Sequence, residues 1–206
     1  MSPRAARPAQ RGPRNGRRPQ PARRREPRNA GRPPKARSRV TSDPSDGRLR
    51  LRRATAADVP TLLELVKGLA EYERLAPEVK ATVERFRRHG FGRRPYFEAL
   101  ICYRGRRPIG LALYLFAYST FLARPSLWLE DLFILPEERG RGGGRALLQA
   151  IARIAVQKGC GRMEWSVLDW NAPAIRFYRG LGARLERRWI LTRLTGPHLR
   201  RLAAGR

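Results

Sequence analysis

Glu130-Asp-Leu-Phe-Ile-Leu-Pro-Glu-Glu-Arg-Gly-Arg-Gly-Gly-Gly-Arg-Ala-Leu-Leu148 is the stretch that decides the fold. A strand expected over residues 127–135 is apolar on both faces apart from Glu130 and Asp131, as a central strand covered on both sides is. Pro136 marks a turn, and an Arg139-x-x-Gly142-x-Gly144 loop then opens an amphipathic helix over residues 142–158, with Leu147, Leu148, Ile151, Ile154 and Ala155 on one side. Gly140, Gly142, Gly143 and Gly144 remove the side chains that would block close approach. The free N–H groups of the helix's first turn, with their dipole, favour an anion there, and Arg139, Arg141 and Arg145 add fixed positive charge. The spacing suits a pyrophosphate, although a glycine-rich turn feeding an ordinary surface helix reads the same way when the loop is taken alone.

The loop is neither of the two commoner nucleotide signatures. An ATPase-type phosphate loop needs Gly-Lys-Ser/Thr, and Arg145-Ala146 stands there instead, so no hydroxyl is offered to Mg²⁺. A dinucleotide fingerprint opens a repeated strand-helix-strand unit, whereas this loop lies past the middle of the chain behind a run of adjacent strands. A nucleotide that needs no metal remains. His89 and His198 are far apart with no Cys or carboxylate at ligand spacing, so no metal site is expected. Serine-histidine nucleophilic chemistry has no support either.

Working outward, the 206 residues suffice for one core of moderate size. Residues 1–47 do not read as part of it. They hold thirteen arginines and one lysine against Glu26, Asp43 and Asp46, with almost no large apolar side chain before Val40. Such a stretch cannot bury enough surface to offset its chain entropy, and it reads as a disordered tail. Its net +11 leaves +17 of the total +28 for residues 48–206, so the domain is basic as well. A tail of this kind makes weak, non-specific contact with nucleic acid, though without aromatic residues it offers no stacking platform. The use of 41 arginines and four lysines also fits plain compositional drift. No membrane span and no secretory signal is visible, and Cys102 and Cys160 are too few for a disulfide framework. The expected location is cytoplasmic.

The remaining elements follow from pattern. Residues 48–53 alternate as a first strand; Thr55 with Asp58 forms a capping box ahead of a helix carrying Leu62, Leu65, Val66, Leu69 and Tyr72. A second helix is expected over 82–89, ended by Gly90. Strands over 96–103 and 108–117 join through Arg104-Gly105-Arg106, and a further strand is expected over 162–168. Asn171 caps a short helix with Pro173 early in it, residues 189–194 close the sheet, and a last helix spans about 197–203. The fold class is α/β: a mixed, mostly antiparallel twisted sheet of six to seven strands flanked by helices, in one domain over 48–206.

At this point the chain resembles the GCN5-related N-acetyltransferase (GNAT) superfamily, and within it the spermidine/spermine and thialysine N-acetyltransferases. The resemblance rests on Leu69-Ala-Glu-Tyr-Glu73, His89-Gly-Phe-Gly92, Tyr118-Ser-Thr120, Leu129-Glu-Asp131, the Arg139–Gly144 loop, Leu168-Asp-Trp-Asn171 and Phe177-Tyr178 through Gly182-Ala183. It implies acetyl-CoA as donor, a primary amine of a small diamine, polyamine or thialysine-like molecule as acceptor, and a homodimer. It further implies that Leu132, Phe133 and Ile134 contact the acetyl and pantetheine part through their backbone. Gly140, Arg141, Gly142, Gly143, Gly144 and Arg145 would hold the pyrophosphate, beside Arg139. Asn171, Ala172, Pro173 and Ala174 would take more of the coenzyme. Tyr178 corresponds to the family's acid and Glu130 to its carboxylate near the amine, while Tyr72, Glu73, Glu164, Trp165 and Ser166 correspond to acceptor-pocket positions. Ser119 stands where polyamine-acetylating relatives tend to carry an acid, which favours a small thialysine-like amine over spermine. The alternative reading is a basic-tailed, nucleic-acid-associated protein whose acetyltransferase-like domain is idle or acts on protein.

The chemistry explains the residue types. A lysine-like amine with a pKa near ~10.4 is neutral in only about one molecule in a few thousand at pH 7, so a carboxylate near it serves as cation site and proton sink. Glu130 fills that part, on the face opposite Asp131 if the strand is regular; a buried structural carboxylate paired with arginine is the plain alternative. By spacing alone, Tyr178 belongs to an apolar stripe with Ala174, Phe177 and Leu181, Asn171 is simply a cap, and Tyr72 and Trp165 are packing residues.

Overall fold

The computed structural model describes residues 47–205. The expected tail, with its disorder and its nucleic-acid contact, lies outside the described residues except for Gly47. Strands β1 (Leu49–Arg53), β2 (Glu98–Arg104), β3 (Arg107–Ser119), β4 (Arg124–Ile134) and β5 (Arg162–Glu164) form one sheet in sequence order. The first four are antiparallel neighbours, and β5 runs parallel to β4. Helices α1 (Val59–Tyr72), α2 (Val83–Phe91), α3 (Gly143–Gln157), α4 (Ala172–Arg179) and α5 (Gly196–Ala203) complete the described residues.

Two apolar layers follow from alternation along the strands. Leu100, Cys102, Ala112, Tyr114, Leu127 and Leu129 face Leu147, Leu148 and Ile151 of α3 and Tyr178 of α4. Ala99, Ile101, Tyr103, Leu111 and Leu113 face Leu62 and Leu65 of α1. The sheet is therefore covered on both sides, and the apolar run of β4 needs no polar face. Asp58 accepts from the Thr55 N–H and hydroxyl ahead of α1, as the capping pattern leads one to expect.

Three expectations are corrected. Gly90 does not end α2, which continues to Phe91; a Cβ at Gly90 would meet the Phe97 ring at 2.4 Å, so the glycine admits an aromatic ring instead of stopping a helix. The sheet has five strands among the described residues, not six to seven, because residues 189–194 pair with nothing. Trp189 and Ile190 are 78% and 84% exposed, and the backbone bonds of the segment are local ones such as Trp189 N–H to Glu186 O. Strand-forming side chains without an edge to join do not make a strand. The strand expected over 162–168 stops at Glu164, where the chain peels away from β4.

The irregularity of β4 explains that parting. Leu113 pairs with Asp131 and Tyr114 with Leu129, so Glu130 is an extra residue, a β-bulge. Before it, Leu127 and Leu129 face the α3 layer; after it, Leu132 and Ile134 face that layer and Phe133 the α1 layer. The phase of the strand is inverted at Glu130. Pairing with β5 ends at Trp128, two residues earlier, leaving the far edge of β4 open from there to Ile134.

Candidate active site

The open edge becomes one wall of a cleft of about 500 Å³. Leu135 N–H donates to Ile109 O, so its neighbour Ile134 turns its own backbone groups away from β3, and by alternation Leu132 does too. Phe133 is corrected on this point: by the same alternation its backbone groups face β3, although the residue is among those lining the cleft. Gly110 allows this seam, since a Cβ there would sit 2.3 Å from Phe133 O. Ser166 and Val167 form the opposite wall, and Pro173, Ala174, Phe177 and Tyr178 of α4 also line it.

The glycine loop closes one end. Gly140 and Gly142 have φ of +73° and +88°, a left-handed region that costs other residues roughly 1–2 kcal/mol. Gly143 packs so closely that a Cβ would lie 3.0 Å from Ile134 Cδ1. No side chain caps α3, so the N–H groups of its first turn are left for a ligand. Gly140, Gly142, Gly143, Gly144 and Arg145 all line the cleft. Arg141 does not. Its Nη1 donates to Glu138 Oε2 at 3.3 Å, which draws it to the back of the loop. Arg139 is also otherwise engaged: its guanidinium lies 4.0 Å over the Tyr72 ring and its Nε donates to Ile134 O at 3.1 Å. It therefore spans the cleft and occupies one of the two open-edge carbonyls.

The other end is acidic. Glu73, Glu130 and Asp131 line it together. Trp128 Nε1 donates to Glu130 Oε2 at 2.7 Å, which fixes the bulged side chain. Burial, then the neighbouring charges of Glu130 and Glu73, push the Asp131 carboxyl up to about 7. Burial raises Glu73 as well. Asp131 is not among the residues expected in the site; because of the bulge it shares the cleft with Glu130 in place of lying on the opposite side. Its only signal in the sequence was a second charge in an otherwise apolar strand.

Tyr178 is 8% exposed, meets Trp165 edge-on at 5.1 Å between centroids, and has its phenol pushed up to about 12 by burial and then by Glu73 and Tyr72. Asn171 is a cap, as its residue type suggests, accepting from Ala174 N–H at 3.2 Å; it also accepts from Tyr72 Oη at 3.1 Å, tying α1 to α4. Four expected site residues stand elsewhere. Ser119 is buried at the end of β3, where its Oγ accepts from Leu122 N–H. Glu164 is bound to Arg162 Nε at 2.7 Å. Trp165 packs behind Tyr178, and Ala172 is exposed on the outer start of α4. Leu69, Val167, Phe177 and Glu138 line the cleft as well; the sequence marks Leu69 and Phe177 only as part of the apolar faces of their helices. Among the described residues no group of three or more His, Cys, Asp or Glu comes together as a metal site would require.

Residues 63–183, which span the β4 bulge, the glycine loop and α4, match the model of the acetyltransferase (GNAT) family. The chain belongs to that family. It is similar to the thialysine N-epsilon-acetyltransferase of Mus musculus, at 34% identity over 165 residues, covering 75% of this chain and 96% of that protein. The Sus scrofa thialysine N-epsilon-acetyltransferase matches at 37% identity over 74% of this chain and 96% of its own length. In fold it resembles an integron cassette protein from the mobile metagenome of V. cholerae, with a TM-score of 0.65 and 23% identity over 75% of this chain and 97% of that one. The chain is an N-acetyltransferase.

Proposed function

We propose that this acetyltransferase moves the acetyl group of acetyl-CoA to the primary amine of a small thialysine-like, lysine-like or diamine acceptor. The observation that carries the reading is the two-ended cleft, with anion-binding backbone at one end and three carboxylates at the other. Acetyl-CoA supplies an activated thioester and a good leaving group. The residues present fit it: Leu132 offers its backbone groups and Ile134 its N–H along an open edge, the Ile134 carbonyl being held by Arg139, and the Gly140–Arg145 loop offers N–H groups to a diphosphate. The similarity to thialysine acetyltransferases supports the acceptor class.

Glu73, Glu130 and Asp131 receive the ammonium form of the acceptor and one of them takes its proton. Moving a proton from an amine of ~10.4 to an ordinary carboxylate of ~4.3 is uphill by about 8 kcal/mol, but to a carboxyl of about 7 by only about 4.6 kcal/mol. Asp131 is therefore the better sink, with Glu130 holding the cation. Tyr178 keeps its proton at any working pH. Complete transfer from a phenol of about 12 to a thiol of ~8.5 would be uphill by roughly 5 kcal/mol, so Tyr178 stabilises the departing sulfur chiefly as a hydrogen-bond donor. No described helix is long and apolar enough to cross a membrane, and a cytoplasmic homodimer is part of the proposal. Trp189, Ile190, Leu191, Leu199 and Leu202, all exposed, are the apolar side chains that a second copy would cover.

Incubation with acetyl-CoA and a panel of thialysine, lysine and short diamines, following CoA release from pH 7 to 9, tests the reading. Acceptor-dependent release is expected; its absence with every amine would overturn it.

A further inference from the structure

Glu138 is a puzzle for a site that takes a polyanion. The residue is 5% exposed, is among those lining the cleft, and immediately precedes the glycine loop. Left alone, a buried negative charge there would oppose a diphosphate. Arg104, at the end of β2, resolves the conflict. Its Nε donates to Glu138 Oε2 at 2.7 Å and its Nη2 to the Arg141 carbonyl at 3.4 Å. Arg141 Nη1 donates to the same Glu138 oxygen, and Arg107 Nη1 lies 4.0 Å from the other. One guanidinium thus grips both the start and the middle of the loop from behind, while the carboxylate holds Arg141 out of the cleft.

We infer that Arg104 and Glu138 are positioning residues for diphosphate binding, a cross-brace that sets the loop so that its backbone N–H groups face the ligand. The inference rests on the coenzyme reading above. Neither residue touches the reacting atoms. Their effect is confined to ligands that carry a diphosphate, because the bonds of Arg104 fall on Glu138, the Gly47 carbonyl and the Arg141 carbonyl and not on Glu130, Asp131 or Tyr178. A guanidinium is required: a lysine reaches Glu138 as a point charge but cannot hold the Arg141 carbonyl at the same time.

Calorimetry with CoA and with pantetheine, which lacks the diphosphate, separates this from a general loss of structure. Arg104→Met is expected to weaken CoA about 10–50-fold and pantetheine less than two-fold, with Arg104→Lys recovering part of the loss. In turnover, the KM for acetyl-CoA rises while kcat stays within about two-fold, and S-acetyl-N-acetylcysteamine is used as well as before. Glu138→Gln, of the same shape, shows the same split at about 3–10-fold and gives the answer if the Arg104→Met chain does not fold. Equal weakening of both ligands, or CoA binding within two-fold of the unaltered protein in both variants, overturns the inference. Should the unaltered protein take up neither CoA nor pantetheine, the coenzyme reading itself falls, a result distinguishable from either.

Discussion

The two ends of the cleft are built from different materials. The end proposed for the donor is backbone: an open strand edge at Leu132 and Ile134 and a loop whose glycines expose N–H groups. The end proposed for the acceptor is side-chain charge, three carboxylates crowded until Asp131 is half protonated near neutral pH. Backbone sites depend on side chains only through those that hold the backbone in place, whereas crowded charges are tuned directly by each neighbour and can be changed one at a time.

If that contrast is right, substitutions at the acceptor end lower turnover without touching coenzyme affinity. Asp131→Asn is expected to reduce kcat about 100- to 1,000-fold with CoA binding unchanged by calorimetry; a loss smaller than that of Glu130→Gln would transfer the proton sink to Glu130. At the donor end the largest response is in stability. Gly110→Ala should cost about 3 kcal/mol, read in denaturant melts, because the new methyl meets the Phe133 carbonyl and the β3–β4 seam must open. Tyr178→Phe comes next, with kcat lower by about 10- to 100-fold and CoA affinity unchanged; wild-type rates would remove the phenol from the mechanism.

Asp131 also makes a stability prediction whose sign is fixed. Its carboxyl is raised on folding, so between about pH 4 and pH 7 the folded chain keeps a proton the unfolded chain has released. Stability contributed by this group falls as pH rises through that window and stays low above it. Asp131→Asn should therefore raise the Tm at pH 8, by about 2 kcal/mol of stability, with the gain vanishing toward pH 4. A gain that does not vary with pH would mean that the carboxyl is not strained. The smallest effect expected is that of Asn171→Ala, about 1 kcal/mol, from the lost α4 cap and the lost tie to Tyr72.

The same contrast governs what the sequence made legible. Glycine spacing after a strand is a backbone signal, and the loop, α3 and the β2–β3 hairpin stand where pattern places them. The bulge is not legible, because Glu130-Asp131 reads as ordinary alternation until pairing with β3 is known. With it went the recognition of Asp131. Arg139 and Arg141 were read as free cations since their type and position suit an anion; their engagement with Ile134 O and with Glu138 depends on contacts that only the folded chain makes. Residues 189–194 show the reverse case, a strand pattern without a neighbour to complete it.

Glu130 has one more implication. Striking it from the chain would leave Leu129, Asp131, Leu132, Phe133 and Ile134 in unbroken alternation against β3. A search that rewarded robustness alone would therefore discard this residue first, and heat resistance engineered by straightening this strand would come at the expense of the open edge.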